Sequence, residues 1–64
     1  MGLAQYYGKE VYIISENGKS FVGTVNDYFD AEDNDFGKES IIIDTPKGDV
    51  VEFTEDDIQT IIIM

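Results

Sequence analysis

Nearly all the residues able to do chemistry in this 64-residue chain are carboxylates. Fourteen Asp and Glu stand against four Lys, with no Arg, no His and no Cys, for a formal charge of −10. The acids concentrate in two runs: Asp27, Asp30, Glu32, Asp33, Asp35 and Glu39, then Glu55, Asp56 and Asp57. Clustered carboxylates suit three kinds of chemistry. They bind hard cations such as Ca²⁺, they act as an acid and base pair in glycoside cleavage, and they dock a cationic surface. The calcium reading has a spacing test. An EF-hand loop counted from Asp30 places Asp35 where glycine is needed and Ile41 where the bidentate Glu belongs. Counted from Asp33, Gly37 falls one place early. Asp30, Glu32, Asp33 and Asp35 are thus candidate Ca²⁺ ligands without a motif, and no cofactor is implied. Catalysis needs convergent polar groups in a pocket, and so short a chain leaves little to build one. Without His or Cys, the commonest general base, the thiolate nucleophile and the best zinc ligands are missing. Ser15, Ser20 and Ser40 fall at hairpin or strand ends. The expectation is a protein that is not an enzyme. For docking, Tyr28, Phe29 and Phe36 are aromatic anchors set among the charges, and a basic protein is the partner they suit. Mimicry of a nucleic acid fits the charge and size but has no motif behind it. The plain alternative is a solvated surface that keeps a small β-protein soluble.

The elements that must carry these residues are legible from the punctuation. The chain is one domain at most, and one this small buries only roughly 60% of the surface exposed when unfolded. It is 42% hydrophobic with four Tyr and four Phe, enough for a core. Each of its four lysines is next to a glycine: Gly8-Lys9, Gly18-Lys19, Gly37-Lys38 and Lys47-Gly48. Between these marks lie runs of Val, Ile, Phe, Tyr and Thr, which suit a pleated, half-buried surface. The spacing predicts strands over Glu10 to Ser15, Ser20 to Phe29, Ser40 to Thr45, Val50 to Phe53 and Thr60 to Met64. Asn17-Gly18 predicts a two-residue hairpin turn, and Pro46-Lys47-Gly48-Asp49 a tight turn with Pro at its second position. Gly23 predicts a bend or a close backbone approach. Thr54 caps a single helical or 3₁₀ turn whose acids sit at its positive end. Ile58 plugs the interior from that turn, and Leu3-Ala-Gln-Tyr-Tyr7 reads as one or two turns of helix closing the open end. Asp30 to Glu39 is too polar for a buried strand and reads as a loop or an extended hairpin tip. The architecture is a small, strongly bent, five-stranded all-β barrel over residues 1–64.

Alternation places Val11, Ile13, Phe21, Val25, Ile41, Ile43, Val51, Phe53, Ile61 and Ile63 inside. The opposite face carries Tyr12, Ile14, Ile42, Val50, Ile62 and Met64, where a solvated face alternates to polar residues. The triplets Ile41-Ile42-Ile43 and Ile61-Ile62-Ile63 make the excess plain. Either the chain's own segments cover this face, or a second copy or partner does, by extending the sheet at an edge strand.

The run Gly8-Lys-Glu-Val-Tyr-Ile-Ile-Ser-Glu-Asn-Gly-Lys-Ser-Phe-Val-Gly-Thr-Val resembles the first motif of Sm and Sm-like (LSm) proteins. In that family an apolar strand leads through an acidic or Asn-Gly turn into a Phe-x-Gly-x-apolar strand. The Leu3 to Tyr7 lead-in and the closing segment Val50 to Ile63 fit the same family. The C-terminal SH3-like domain of the ribosome maturation factor RimP and the PRC barrel are similar in the same places. The resemblance implies ring or dimer assembly through edge strands and, in many members, binding of uridine-rich RNA. Asp30 and Asn34 match the spacing of the family's nucleotide-reading Asp-x-x-x-Asn. They lie among Glu32, Asp33 and Asp35, however, and Phe53-Thr54-Glu55-Asp56-Asp57 is acidic where the family supplies a cationic step. Affinity for nucleic acid is largely neutralisation of phosphate by cations, so nucleic acid is a disfavoured partner here. The expected function is a protein-interaction module acting through its own copies or a basic partner. The alternative is an RNA-binding Sm-like protein with its site assembled across subunits. No run nears the roughly 20 apolar residues of a membrane helix, and Met1 to Glu10 shows no secretory signal, so the expected location is the cytoplasm.

Overall fold

The computed structural model describes residues 2–32 and 37–64. Five antiparallel strands form one sheet: β1 (Glu10–Ser15), β2 (Ser20–Phe29), β3 (Ser40–Asp44), β4 (Val50–Thr54) and β5 (Ile58–Ile63). Their spatial order is β4-β3-β2-β1-β5, so β4 and β5 are the two edges. The remaining regular structure among the described residues is two 3₁₀ turns, Leu3–Tyr6 and Glu55–Asp57. The all-β expectation therefore holds, and the N-terminal helix is a single 3₁₀ turn.

β2 is what bends the sheet. Its first half pairs with β1, from Ile14↔Ser20 to Glu10↔Thr24. Its second half pairs with β3, from Thr24↔Asp44 to Phe29↔Ser40. A register shift between Val25 and Asp27 leaves Asn26 as an extra residue, and such a bulge bends and twists a strand. Gly23 sits just before it, where a Cβ would lie 2.5 Å from the Asp44 carbonyl oxygen. That contact is the close backbone approach expected of the glycine. The bend lets one sheet cover its own concave face, burying Val11 and Ile13 of β1 with Val25 of β2, Ile41 and Ile43 of β3 and Phe53 of β4. Leu3 and Ile58 close this core and are almost wholly buried.

The β1–β2 and β3–β4 hairpins use one turn design. Gly18 N–H donates to the Ser15 carbonyl at 2.9 Å and Ser15 N–H to the Lys19 carbonyl at 2.8 Å. Gly48 N–H donates to the Thr45 carbonyl and Thr45 N–H to the Asp49 carbonyl, each at 2.9 Å. Gly18 has φ +85° and Gly48 φ +90°, and no described non-glycine residue has a positive φ. The Asn17-Gly18 turn is thus a three-residue loop, Glu16 to Gly18, closed by a left-handed glycine, rather than the two-residue form, which needs positive φ at Asn17 as well. Asn17 contributes its side chain instead, accepting from the Ser15 hydroxyl and from Lys19 N–H.

Other boundaries differ by a residue or two. β3 stops at Asp44, β4 runs on to Thr54, and β5 starts at Ile58. Thr54 and Asp57 form a capping box around the intervening turn. That turn is short enough for Ile58 to serve as both plug and first residue of β5. Ile63 lies beside Val11 on the concave side yet is 48% exposed, because among the described residues no strand flanks β5 on its outer side.

Candidate functional site

The register divides the second apolar face into unequal parts. Val22, Tyr12 and Ile62 line up across β2, β1 and β5, with Ile14 and Met64 two residues further along their strands on the same side. Met64 is held against β1 by its N–H, which donates to the Glu10 carbonyl at 2.9 Å. Ile42, by contrast, stands between Asp27 and Glu52, and Val50 lies opposite Asp44 at the far edge. The structure thus brings Tyr12, Ile14, Ile62 and Met64 together and leaves Ile42 and Val50 apart among acids. Tyr12, Ile14 and Ile42 are half-buried, whereas Val50, Ile62 and Met64 are exposed. The end of β5 is consequently apolar on both sides, with Ile62 and Met64 on one and Ile63 on the other. No residue from Ile58 to Met64 carries a charge.

The aromatic anchors separate in the same way. Beyond the bulge Tyr28 packs against the core, and its hydroxyl donates to Glu39 Oε2 at 2.9 Å. Phe29 is half-buried at the end of β2. Phe36 lies outside the described residues, as do Asn34 of the RNA reading and Asp33 and Asp35 of the calcium reading. Asp30 is exposed and accepts from Glu32 N–H at 3.1 Å. Among the described residues no group of three or more acids is placed to hold a metal ion.

Two features escaped the sequence reading. Glu39 fastens the N-terminal turn, since its Oε1 accepts from Leu3 N–H at 2.8 Å while Oε2 takes the Tyr28 hydroxyl. The Leu3 amide first, then the Tyr28 hydroxyl, hold its carboxyl below the usual glutamate range, against the opposing effect of partial burial. The second is an open hollow of about 280 Å³ between the β1–β2 turn and the Glu55–Asp57 turn. Phe21 and Phe53 form its floor, with ring centroids 5.1 Å apart at 72°. Glu16, Glu52 and Asp57 surround it. Sequence spacing cannot reveal such a site, because its residues come from four separate elements.

Comparisons with protein-family models, curated proteins and solved structures return no match. No helix among the described residues is long and apolar enough to cross a membrane.

Proposed function

We propose that the chain is a non-enzymatic assembly module of the Sm-like kind that joins a second copy through the outer edge of β5. One observation carries this reading: β5 is an edge strand whose last residues, Ile62 and Ile63, together with Met64 just after them, expose apolar side chains on both sides of the sheet. An unpaired edge offers backbone donors and acceptors to another strand. A strand laid there would also cover apolar surface above and below. Edge strands that stay solvated carry charges or proline for protection, and β5 has neither.

Charge favours β5 against β5 over the other edge. Each copy carries −10, so association has to bring together surfaces free of carboxylate. β4 presents Glu52 and follows Asp49, whereas two β5 strands meeting about a two-fold axis place no charged side chain in contact. The remaining repulsion between copies is long-range and screened, with a Debye length of about 8 Å at physiological salt. RNA binding across subunits gains no such support, since Asp30 sits exposed in an acidic stretch.

Light scattering over a protein concentration series tests the proposal. The expected result is a dimer whose dissociation constant falls as NaCl rises, because salt screens the repulsion without weakening apolar contact. Ile62→Lys leaves the buried core untouched and is expected to give a monomer of unchanged melting temperature. A wild-type protein that stays monomeric at millimolar concentration overturns the reading, and so does a dimer indifferent to Ile62→Lys.

A further inference from the structure

β2 is paired along both sides for only part of its length. Pairing with β1 runs from Ser20, whereas pairing with β3 begins at Thr24↔Asp44. Carrying the β3 register two residues further sets Val22 opposite Pro46, which has no N–H to donate. Thr45 meanwhile gives its N–H to the Asp49 carbonyl, so the β3–β4 turn parts from β2 at this point. Successive residues of an antiparallel strand direct their backbone groups to alternate sides. The Lys19 carbonyl accepts from Ser15 N–H, and Val25 N–H donates to the Lys9 carbonyl. By the same alternation Phe21 and Gly23 bond to β1, while Ser20 and Val22 aim N–H and C=O away from it. Among the described residues no hydrogen bond reaches those four groups. A hollow of about 390 Å³ lies where the missing strand would run. Its lining passes from Ser20, Phe21 and Val22 to Pro46 and Lys47 of the turn and Val51 of β4. Phe21 and Val22 belong to opposite faces of the sheet, so the edge of β2 itself forms the wall.

We propose that this gap takes an uncharged, extended segment of another protein as a short added strand, with one aliphatic side chain seated between Phe21 and Val51. The unpaired backbone groups recur at every second residue, and an extended polypeptide is the partner that offers donors and acceptors at that period. Its middle residue lies beside Phe21 and shares the same side of the sheet. Phe21 stands opposite Ile13 and Val51 opposite Ile43, so both face the concave side and pack against the core. An aliphatic side chain placed there continues the core into the hollow and loses its contact with water. Charge narrows the choice further. The lining holds one lysine and one aspartate, Lys47 and Asp49, in a chain of −10. The gap is thus locally neutral, while the carboxylates elsewhere repel an acidic segment and draw a basic one to themselves. This chain's own uncharged segment, β5, is paired with β1 from Val11 to Ser15 and is not free to enter, so the occupant comes from another protein.

Amide hydrogen exchange and an ¹⁵N NMR titration with acetyl-Thr-Leu-Thr-amide, which reads alike in both chain directions, test the proposal. In the free protein the Ser20 and Val22 amides are expected to exchange freely and those of Phe21 and Gly23 to be protected. The peptide is expected to give saturable shifts centred on Ser20, Phe21, Val22 and Val51, and to slow exchange at Ser20 and Val22. Glycine in place of its leucine should weaken binding about tenfold. An ester oxygen in place of the amide N–H should do the same at the two threonines if the added strand is antiparallel, or at the leucine if it is parallel. Ser20→Pro deletes one donor and puts a ring in the gap at the first residue of β2, where proline is tolerated. It should abolish saturable binding, with the fold checked by an unchanged amide spectrum elsewhere. Ser20 and Val22 amides already protected in the free protein, shifts that never saturate, or indifference to both ester series would each overturn the site. Protection that rises with protein concentration alone would overturn it too, by making the occupant a second copy. The titration is repeated on Ile62→Lys. Binding retained there separates the gap from the assembly edge, so either proposal can fail alone.

Discussion

Glu39 shows how one side chain can be lifted out of an acidic run and given a structural task. Its neighbours Asp30 and Glu32 are exposed, whereas both of its oxygens are engaged, one by the Leu3 amide and one by the Tyr28 hydroxyl. Because the folded-state pKa is lowered, the stabilising contribution is full above the ordinary glutamate range. It is lost as pH falls through the lowered folded value. Gln at this position can accept through one oxygen only. Glu39→Gln is expected to cost about 1 kcal/mol at neutral pH, a drop of roughly 4–8 °C in melting temperature for a domain this size. Thermal melts of both proteins across pH check the cause: the gap should shrink towards zero as pH falls through the lowered folded value. A gap unchanged down to the acid limit of folding would mean the carboxylate charge is not what matters. The sequence could not single out Glu39 among its acidic neighbours, because its partners lie 36 and 11 residues away.

At the scale of elements, what was legible was whatever local chemistry decides. β1 and β2 have the bounds the punctuation implies, Glu10–Ser15 and Ser20–Phe29, because a turn with a left-handed glycine lies between them. Alternation put Val11, Ile13, Ile41 and Ile43 inside, and all four are fully buried. It failed at Ile63 because a period of two assigns a side, while exposure depends on whether another strand lies alongside. The bulge at Asn26 had no local signature, and it is this extra residue that turns Tyr28 towards the core. Gly23 was legible as a site of bending, and the structure supplies the reason in the Asp44 carbonyl. Alanine usually improves a strand that contains glycine. Here Gly23→Ala should destabilise by about 1–3 kcal/mol, because the obstructing atom is backbone and its retreat would strain the Thr24↔Asp44 pairing. Urea unfolding measures the difference, and a variant as stable as the parent would mean that the hairpin slides freely at that point.

Across the whole molecule, charge and apolar surface are separated. Acids stand in the turns, the loop and each of β1 to β4, at Glu10, Asp27, Asp44 and Glu52, while β5 has no charged side chain along its length. The sequence showed both features, the acid runs and the second isoleucine triplet, but not that one of the triplets lies at an edge. That follows from the order of the strands, which a single sequence does not print. The same order has a mechanical meaning. β5 lies antiparallel to β1, with Ile63 beside Val11 and Ile58 beside Ser15. Pulled at residues 10 and 64, the pair opens from one end, and its hydrogen bonds are loaded one after another. Pulled at residues 15 and 64, the two strands are dragged past each other, and the bonds share the load. A chain without native cysteine accepts single-cysteine handles at these positions, and force spectroscopy should find a higher rupture force for the second geometry. The edge that offers itself to a second copy is therefore also the seam along which tension on the ends peels the sheet apart.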